Sequence, residues 1–507
     1  MKAWIDPEAY RRFIASKRRA FEDEVDEEMG DSSASVRSML PDLPLTHWLT
    51  LHGLVTVVAV LAYVISSHVT RQRRHPAAAI AWMLFILLLP YLALPAFLLF
   101  GSRKLPRPRS NAVPDLSALR SADAWAVETI LALGQPTPAP YDDLNLHPDG
   151  QAARDALLNT VDTAQVSIDV CTFLLNRDDL GNTVVDHLRK KAADGVRVRL
   201  LLDGVGSLMA GRPDLKRLLD AGGEFALFVP PLRSPLKGRT NLRDHRKLLI
   251  ADGATATKGR LWCGGRNLAS EYFRGDAGQA PWRDLSFDLR GPLVHQAAEL
   301  FERDWAFAHG RSMNVSSATQ AALPMAPFLV DGAQLVASGP DQADDTVHAL
   351  LVTAAYRARQ RIALATPYFV PESALLMALC MAARRGVVVD LLLPAKSNHR
   401  LSDLARARAL RSLAQAGARI WLAPHMMHAK LAVIDDVLAL AGSVNLDSRS
   451  LFLNYELMFA FHKAADVRRF AAWFDSERSP APPYVAVAPG LVRDAAEGML
   501  LWLGFQL

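Results

Sequence analysis

Two short stretches, DHRKLLIAD (residues 244–252) and MHAKLAVID (residues 427–435), carry the same three side chains at the same spacing: His245, Lys247 and Asp252, then His428, Lys430 and Asp435. On extended backbone, positions i and i+2 face the same way, so each His-x-Lys pair points into one site. Behind each stretch stands a glycine-containing turn and an asparagine, Asn267 in WCGGRN and Asn445 in LAGSVN, and then an acid, Asp284 in WRDLSF and Glu456 in NYELMF. Two lysines and two asparagines around one point offer cations and amide donors to phosphate oxygens. Two histidines facing each other across that point suit a two-step displacement: one imidazole attacks phosphorus to give a phosphohistidine, while the other protonates the leaving oxygen and then deprotonates the incoming nucleophile. Either half can supply the attacking ring, because the halves are nearly symmetric in chemistry. Asp284 or Glu456 can hold a histidine Nδ1–H, which sets the tautomer and stabilises the charged ring. Asp252 and Asp435 lie at odd offset from the lysines, so they face away and are expected to bond nearby backbone. No cofactor or metal is needed, since the lysines supply the positive charge that a metal ion supplies elsewhere.

The elements that must position these residues are themselves repeated. QVSIDVCTFLL, GVRVRLLLDG and AGGEFALF precede the first motif, and QRIALATPYFV, GVVVDLLLP and AGARIWLA precede the second, with helical stretches between them. Runs such as VRVRLLL and VVVDLLL are nearly continuous apolar strands, as expected where layers cover both faces of a sheet. The fold class is therefore α/β: two tandem α/β sandwich halves, 146–320 and 321–507, related by a pseudo-two-fold axis that brings the motifs together at the shared interface.

The chain has 507 residues, 50% hydrophobic and 21% charged, with a formal net charge of +5. Those values exclude a disordered protein and suit an anionic partner. Cys171, Cys263 and Cys380 are too scattered for a disulfide framework or a zinc site. Ahead of the repeat, after a tail at 1–44 with an acidic run at 22–28, come two apolar stretches at 45–67 and 77–100, and then a linker at 101–145. Each stretch is as long and apolar as a transmembrane helix requires, and Pro90 and Pro95 should kink the second. Arg71, Arg73 and Arg74 lie between the spans, and Arg37, Arg103, Lys104, Arg107 and Arg109 flank them, which favours the flanks and the catalytic body on the cytoplasmic side.

At its duplicated His-x-Lys-x-x-x-x-Asp the sequence resembles the phospholipase D superfamily. Within it, the sequence is similar to the bacterial cardiolipin synthases that carry two N-terminal membrane spans. The resemblance covers roughly 45–507 and is most specific in HAKLAVIDDVLALAGSVNLDSRSLFLNYE. It implies an inner-membrane phosphatidyltransferase that passes the phosphatidyl group of one phosphatidylglycerol to histidine, releases glycerol, and transfers the group to a second phosphatidylglycerol. It also implies His245 as the nucleophile, and membrane lipid rather than nucleic acid as the partner. Oligomeric state does not follow from it.

Two departures bear on the acceptor. The loop GATATKGRLW between Asp252 and Asn267 is longer than its counterpart, and so is FVPPLRSPLKGRTNLRD before the first motif, where Arg233, Lys237, Arg239 and Arg243 form a candidate basic rim for lipid headgroups. SLFLNY at 450–455 and the C-terminal GMLLWLGFQL are candidates for an apolar wall that keeps water from the intermediate. The alternative readings are a membrane-bound hydrolase, a transferase with a different donor or acceptor, and an inactive scaffold. The intact double set of residues argues against the last.

Overall fold

The computed structural model describes residues 45–69, 76–100, 124–230, 241–255, 258–275, 280–311 and 331–490, together with 493, 497 and 498. The first half contributes strands β1 (Asp142–His147), β2 (Ser167–Thr172), β3 (Arg197–Asp203), β4 (Glu224–Phe228), β5 (Arg243–Asp244), β6 (Leu248–Ala251), β7 (Arg260–Gly264) and β8 (Ser286–Arg290). The second contributes β9 (Ala333–Ser338), β10 (Arg361–Ala365), β11 (Phe369–Val370), β12 (Val388–Pro394), β13 (Arg419–Ala423), β14 (Leu431–Ile434), β15 (Leu438–Gly442), β16 (Leu446–Asp447) and β17 (Asn454–Phe461).

The two main sheets repeat one plan. The order β1-β8-β7-β6-β2-β3-β4 answers β9-β17-β15-β14-β10-β12-β13, each with a parallel trio at one end and antiparallel strands beyond it. The parallel strands need crossover helices, and the chain supplies Asp179–Ala193 and Ser373–Arg384 with their apolar stripes turned onto the sheet. All six residues of β2 are buried, and its one charged side chain, Asp169, is paired with Arg199 at 2.7 Å.

One face of each sheet is covered by its own helices, and the other faces the opposite half. A single core joins Leu248, Leu261 and Phe287 of the first half to Leu431, Phe459 and Phe461 of the second. The Phe287 ring meets those of Phe459 and Phe461 edge-on at 5.6 and 5.4 Å. The halves also exchange backbone: β5 of the first half pairs in parallel with β17 of the second, and Arg283 of the first half forms a parallel bridge with Met427 of the second.

The expected linker is not a free tether. Within it, Trp125–Ala132 forms a helix whose Trp125, Ala126 and Ile130 pack into the core of the second half. The candidate apolar wall at 450–455 is core as well, because Leu451 and Phe452 are buried under the second sheet. The acidic tail, the loop arginines between the spans, Arg233, Lys237, Arg239 and the C-terminal wall beyond Gly498 lie outside the described residues.

In the N-terminal region, helix α1 (Leu45–Val69) covers the first apolar stretch. The second stretch, expected as one kinked span, forms two helices, α2 (Pro76–Leu88) and α3 (Pro90–Phe100), because Pro90 has no N–H to continue the first. Ala59 and Tyr63 of α1 pack on Ile86, Ala93 and Phe97. Among the residues whose side chains are described, no helix is long and apolar enough to cross a membrane.

Candidate active site

The catalytic strands begin where the parallel strands end. β6 runs antiparallel to β2 with Leu248 opposite Cys171, so His245 and Lys247 project beyond the C-terminal ends of β2 and β3. The same relation of β14 to β10 places His428 and Lys430 in the second half.

The carboxylate that holds each histidine comes from the other half. His245 Nδ1 lies 3.0 Å from Glu456, and His428 Nδ1 lies 2.6 Å from Asp284. The backbone explains the crossing. The amide of His245 donates to the carbonyl of Tyr455, next to Glu456, and the amide of His428 donates to the carbonyl of Arg283, next to Asp284. Each histidine is thus pinned by main chain to the residue preceding its acid. Because a carboxylate can only accept, both rings carry their proton on Nδ1 and present Nε2 to the site.

Lys247 and Lys430 are buried, and each ammonium donates to the carbonyl of its own histidine. Lys430 Nζ also lies 2.8 Å from His428 Nδ1 and 3.0 Å from its Nε2, so it sits against the ring rather than on one nitrogen. Among the described residues no donor reaches His245 Nε2. Burial lowers Lys247 to about 8 and Lys430 to about 7, against the pull of Asp284 and Glu456. Burial and then the Lys430 charge lower His428 to about 3, and burial lowers His245 as well. Both acids stay below the usual carboxylate range despite their burial, because the facing histidines and lysines stabilise the anions. Each lysine acts electrostatically on the other half's histidine, so the groups form one site.

The halves are alike in plan but not in detail. Glu456 receives the hydroxyls of Ser443 and Ser450, both at 2.5 Å, and the amide of Asn454 at 3.3 Å. In the first half, Gly265 stands where Ser443 would be, and a Cβ there would collide with the Asp284 carboxylate. The His428 ring is walled by Tyr272 and Trp282 at 5.0 and 5.4 Å, whereas His245 has Phe173 at 5.1 Å and is more exposed. Asn267 Nδ2 donates to the Tyr272 hydroxyl, and the buried Oδ1 atoms of Asn267 and Asn445 have no partner among the described residues. Turning either amide over exchanges that bare oxygen for a donor.

Asp252 and Asp435, which share the repeated motif with the histidines and lysines, stand away from the histidine–lysine cluster. Both stand at the far end of the motif strand in left-handed conformation, with φ 54° and 48°. The Asp252 carboxylate accepts the amides of Gln165, Val166 and Ser167, and that of Asp435 accepts those of Arg359, Gln360 and Arg361. These are the residues that lead into β2 and β10, so the aspartates lock the motif strand to its neighbour.

Sequence reasoning missed Arg246, the residue between His245 and Lys247. It is buried, ion-paired to Asp304, and donates through Nε to the Glu456 carbonyl at 3.1 Å. An arginine on an otherwise inward-facing strand was a visible signal, but its partner is distant in sequence.

A family profile described as "Cardiolipin synthase, PLD-like domain" matches residues 157–305 and 351–478, more than half of the chain. The chain belongs to this phospholipase D-like family. A second profile, "Phospholipase_D-nuclease N-terminal", matches 55–102. Cardiolipin synthase A of Pseudomonas putida (strain W619) is 30% identical over 434 residues, which cover 80% of this chain and 86% of that protein. Cardiolipin synthase of Clostridium perfringens (strain 13 / Type A) is 28% identical over 415 residues, covering 78% of this chain and 86% of that protein. In fold, the phosphatidylserine synthase of Haemophilus influenzae Rd KW20 superposes with a TM-score of 0.58 at 14% identity, over 76% of this chain and 100% of that one.

Proposed function

We propose that this protein is a cardiolipin synthase that transfers a phosphatidyl group from one phosphatidylglycerol to another, releasing glycerol. The observation that carries the reading is the crossed pair: two histidines, each held through Nδ1 by the acid of the opposite half, above two buried lysines. His245 Nε2 attacks phosphorus, the bond from phosphorus to the glycerol oxygen breaks, and His428 gives that oxygen a proton. His428 then takes the proton of the second lipid's glycerol hydroxyl, that oxygen attacks phosphorus, and the phosphorus–nitrogen bond breaks. The assignment of roles follows the family resemblance, and the greater exposure of the His245 ring, 13% against 4% for His428, suits the ring that must meet phosphorus first. An arriving phosphodiester adds negative charge beside His428 and raises it from about 3 towards the working range.

The helices α1 to α3 serve as the anchor in a bacterial inner membrane, with the catalytic body on the cytoplasmic side. Leu54, Val57, Val58, Leu61, Val64 and Ile65 all stand exposed on α1, as do Leu84, Leu87 and Leu88 on α2, and apolar surface on that scale needs a partner or a bilayer.

The test is product analysis with purified full-length protein and labelled phosphatidylglycerol in mixed micelles. Cardiolipin and glycerol should form, and added glycerol should suppress cardiolipin and regenerate phosphatidylglycerol by attack on the same intermediate. Phosphatidic acid as the dominant product, in a ratio that glycerol does not alter, would make the protein a hydrolase.

A further inference from the structure

Among the described residues of the first half, the two most exposed large apolar side chains belong to a short helix beside the nucleophile. Gly204–Ala210 presents Leu208 at 74% and Met209 at 79% exposure. Two independent links tie this helix to His245. Its N-cap Asp203 accepts the amides of Val205 and Gly206 through Oδ1, and through Oδ2 it accepts the amide of Asp244, the residue before His245, at 2.8 Å. Gly206 lies so close to the Phe173 carbonyl and ring that a Cβ would not fit, and the Phe173 ring rests on His245. The helix is therefore a braced ridge on the mouth of the active site.

The repeat supplies a corresponding segment in the second half. The residues after β12 correspond to the helix after β3, and there Lys396, Arg400 and Leu401 are exposed. In the chain after the ridge, Lys216 and Arg217 are exposed and Arg212 is half-buried, with Asp214 and Asp220 as exposed acids among them. Apolar tips on a surface whose exposed segments carry more cations than acids match an anionic bilayer surface, where side chains enter the acyl boundary while lysine and arginine meet the headgroups.

We propose that the helix Gly204–Ala210 inserts Leu208 and Met209 into the surface of an anionic leaflet, docking the mouth of the active site on the membrane from which the lipid substrate enters. The proposal rests on the lipid-transfer reading above. It assigns these residues a role distinct from that of the N-terminal helices, which tether the protein but do not orient its site.

The experiment uses the full-length chain reconstituted in phosphatidylglycerol vesicles. Leu208→Ser/Met209→Ser should lower kcat/KM on vesicle lipid about tenfold or more, because two exposed side chains of this size give up most of their transfer free energy. Turnover of a short-chain phosphatidylglycerol below its micellar concentration should stay within about twofold, since no surface is involved. Equal turnover on vesicles, or an equal loss on both substrates, would overturn docking. A nitroxide on Met209→Cys, corrected for labelling of the unsubstituted protein, reads the insertion directly. Relaxation by oxygen should exceed relaxation by a water-soluble nickel chelate, and the reverse would overturn the proposal. This readout does not depend on the product formed, so a hydrolase would show as missing cardiolipin and failed docking as a water-exposed nitroxide.

Discussion

Raising the pH should weaken lipid binding through the two buried lysines, and the structure sets the size of the effect. A phosphodiester needs both ammonium groups charged, but burial brings Lys430 to about 7 and Lys247 to about 8. A lowered lysine pKa means that the neutral form is already favoured above that value, so the competent fraction falls as pH rises. At about pH 6 roughly nine-tenths of the molecules carry both charges; at about pH 8 Lys430 is about one-tenth charged and Lys247 about half, leaving about one-twentieth. Affinity for a monoanionic, non-hydrolysable phosphonate analogue of phosphatidylglycerol should therefore drop about 20-fold between those pH values, equivalent to about 1.8 kcal/mol. Calorimetry in buffers of different ionisation enthalpy should show more than one proton taken up on binding at about pH 8, because the anion restores both charges. Lys430→Arg keeps its charge throughout and should reduce the drop to about twofold, the share left to Lys247. The same lowered values require the free protein to gain stability as pH rises from about 7 towards the unfolded lysine value, since over that range the unfolded chain binds more protons. Affinity that is flat between about pH 6 and pH 8, with no proton uptake, would refute the reasoning.

Asp284→Asn should cut kcat for transfer by about 10²–10⁴ with KM little changed, because the amide cannot stabilise the charged His428 ring; steady-state kinetics on mixed micelles would read it. Gly265→Ala should give a folded protein with reduced kcat, since its Cβ displaces the Asp284 carboxylate, and far-UV dichroism beside activity would separate the two effects. Asp252→Ala should lower stability by about 1–3 kcal/mol by stripping the amides of residues 165–167 of their acceptor, while leaving the pH profile of kcat unchanged; a denaturant melt and that profile would check it.

The sequence by itself determined the repeat, the α/β class and which residues could do chemistry. His245 with Lys247 and His428 with Lys430 were readable because a strand's period of two is a local property of the backbone, and the glycine-asparagine turns followed because the second copy repeats the first. It also separated Asp252 and Asp435 from the histidine face, although it could not say that they receive the strands preceding the motifs. Only the tertiary structure decided which acid serves which histidine. Glu456 belongs to His245 and Asp284 to His428 because β5 adds to the opposite sheet and Arg283 pairs with Met427, and a pairing between halves leaves no periodicity in either stretch. The burial that lowers both lysines, the Arg246–Asp304 pair under the site and the ridge at Leu208 and Met209 have the same origin. They depend on two sheets closing over one core, and that distance is set by packing rather than by neighbours along the chain.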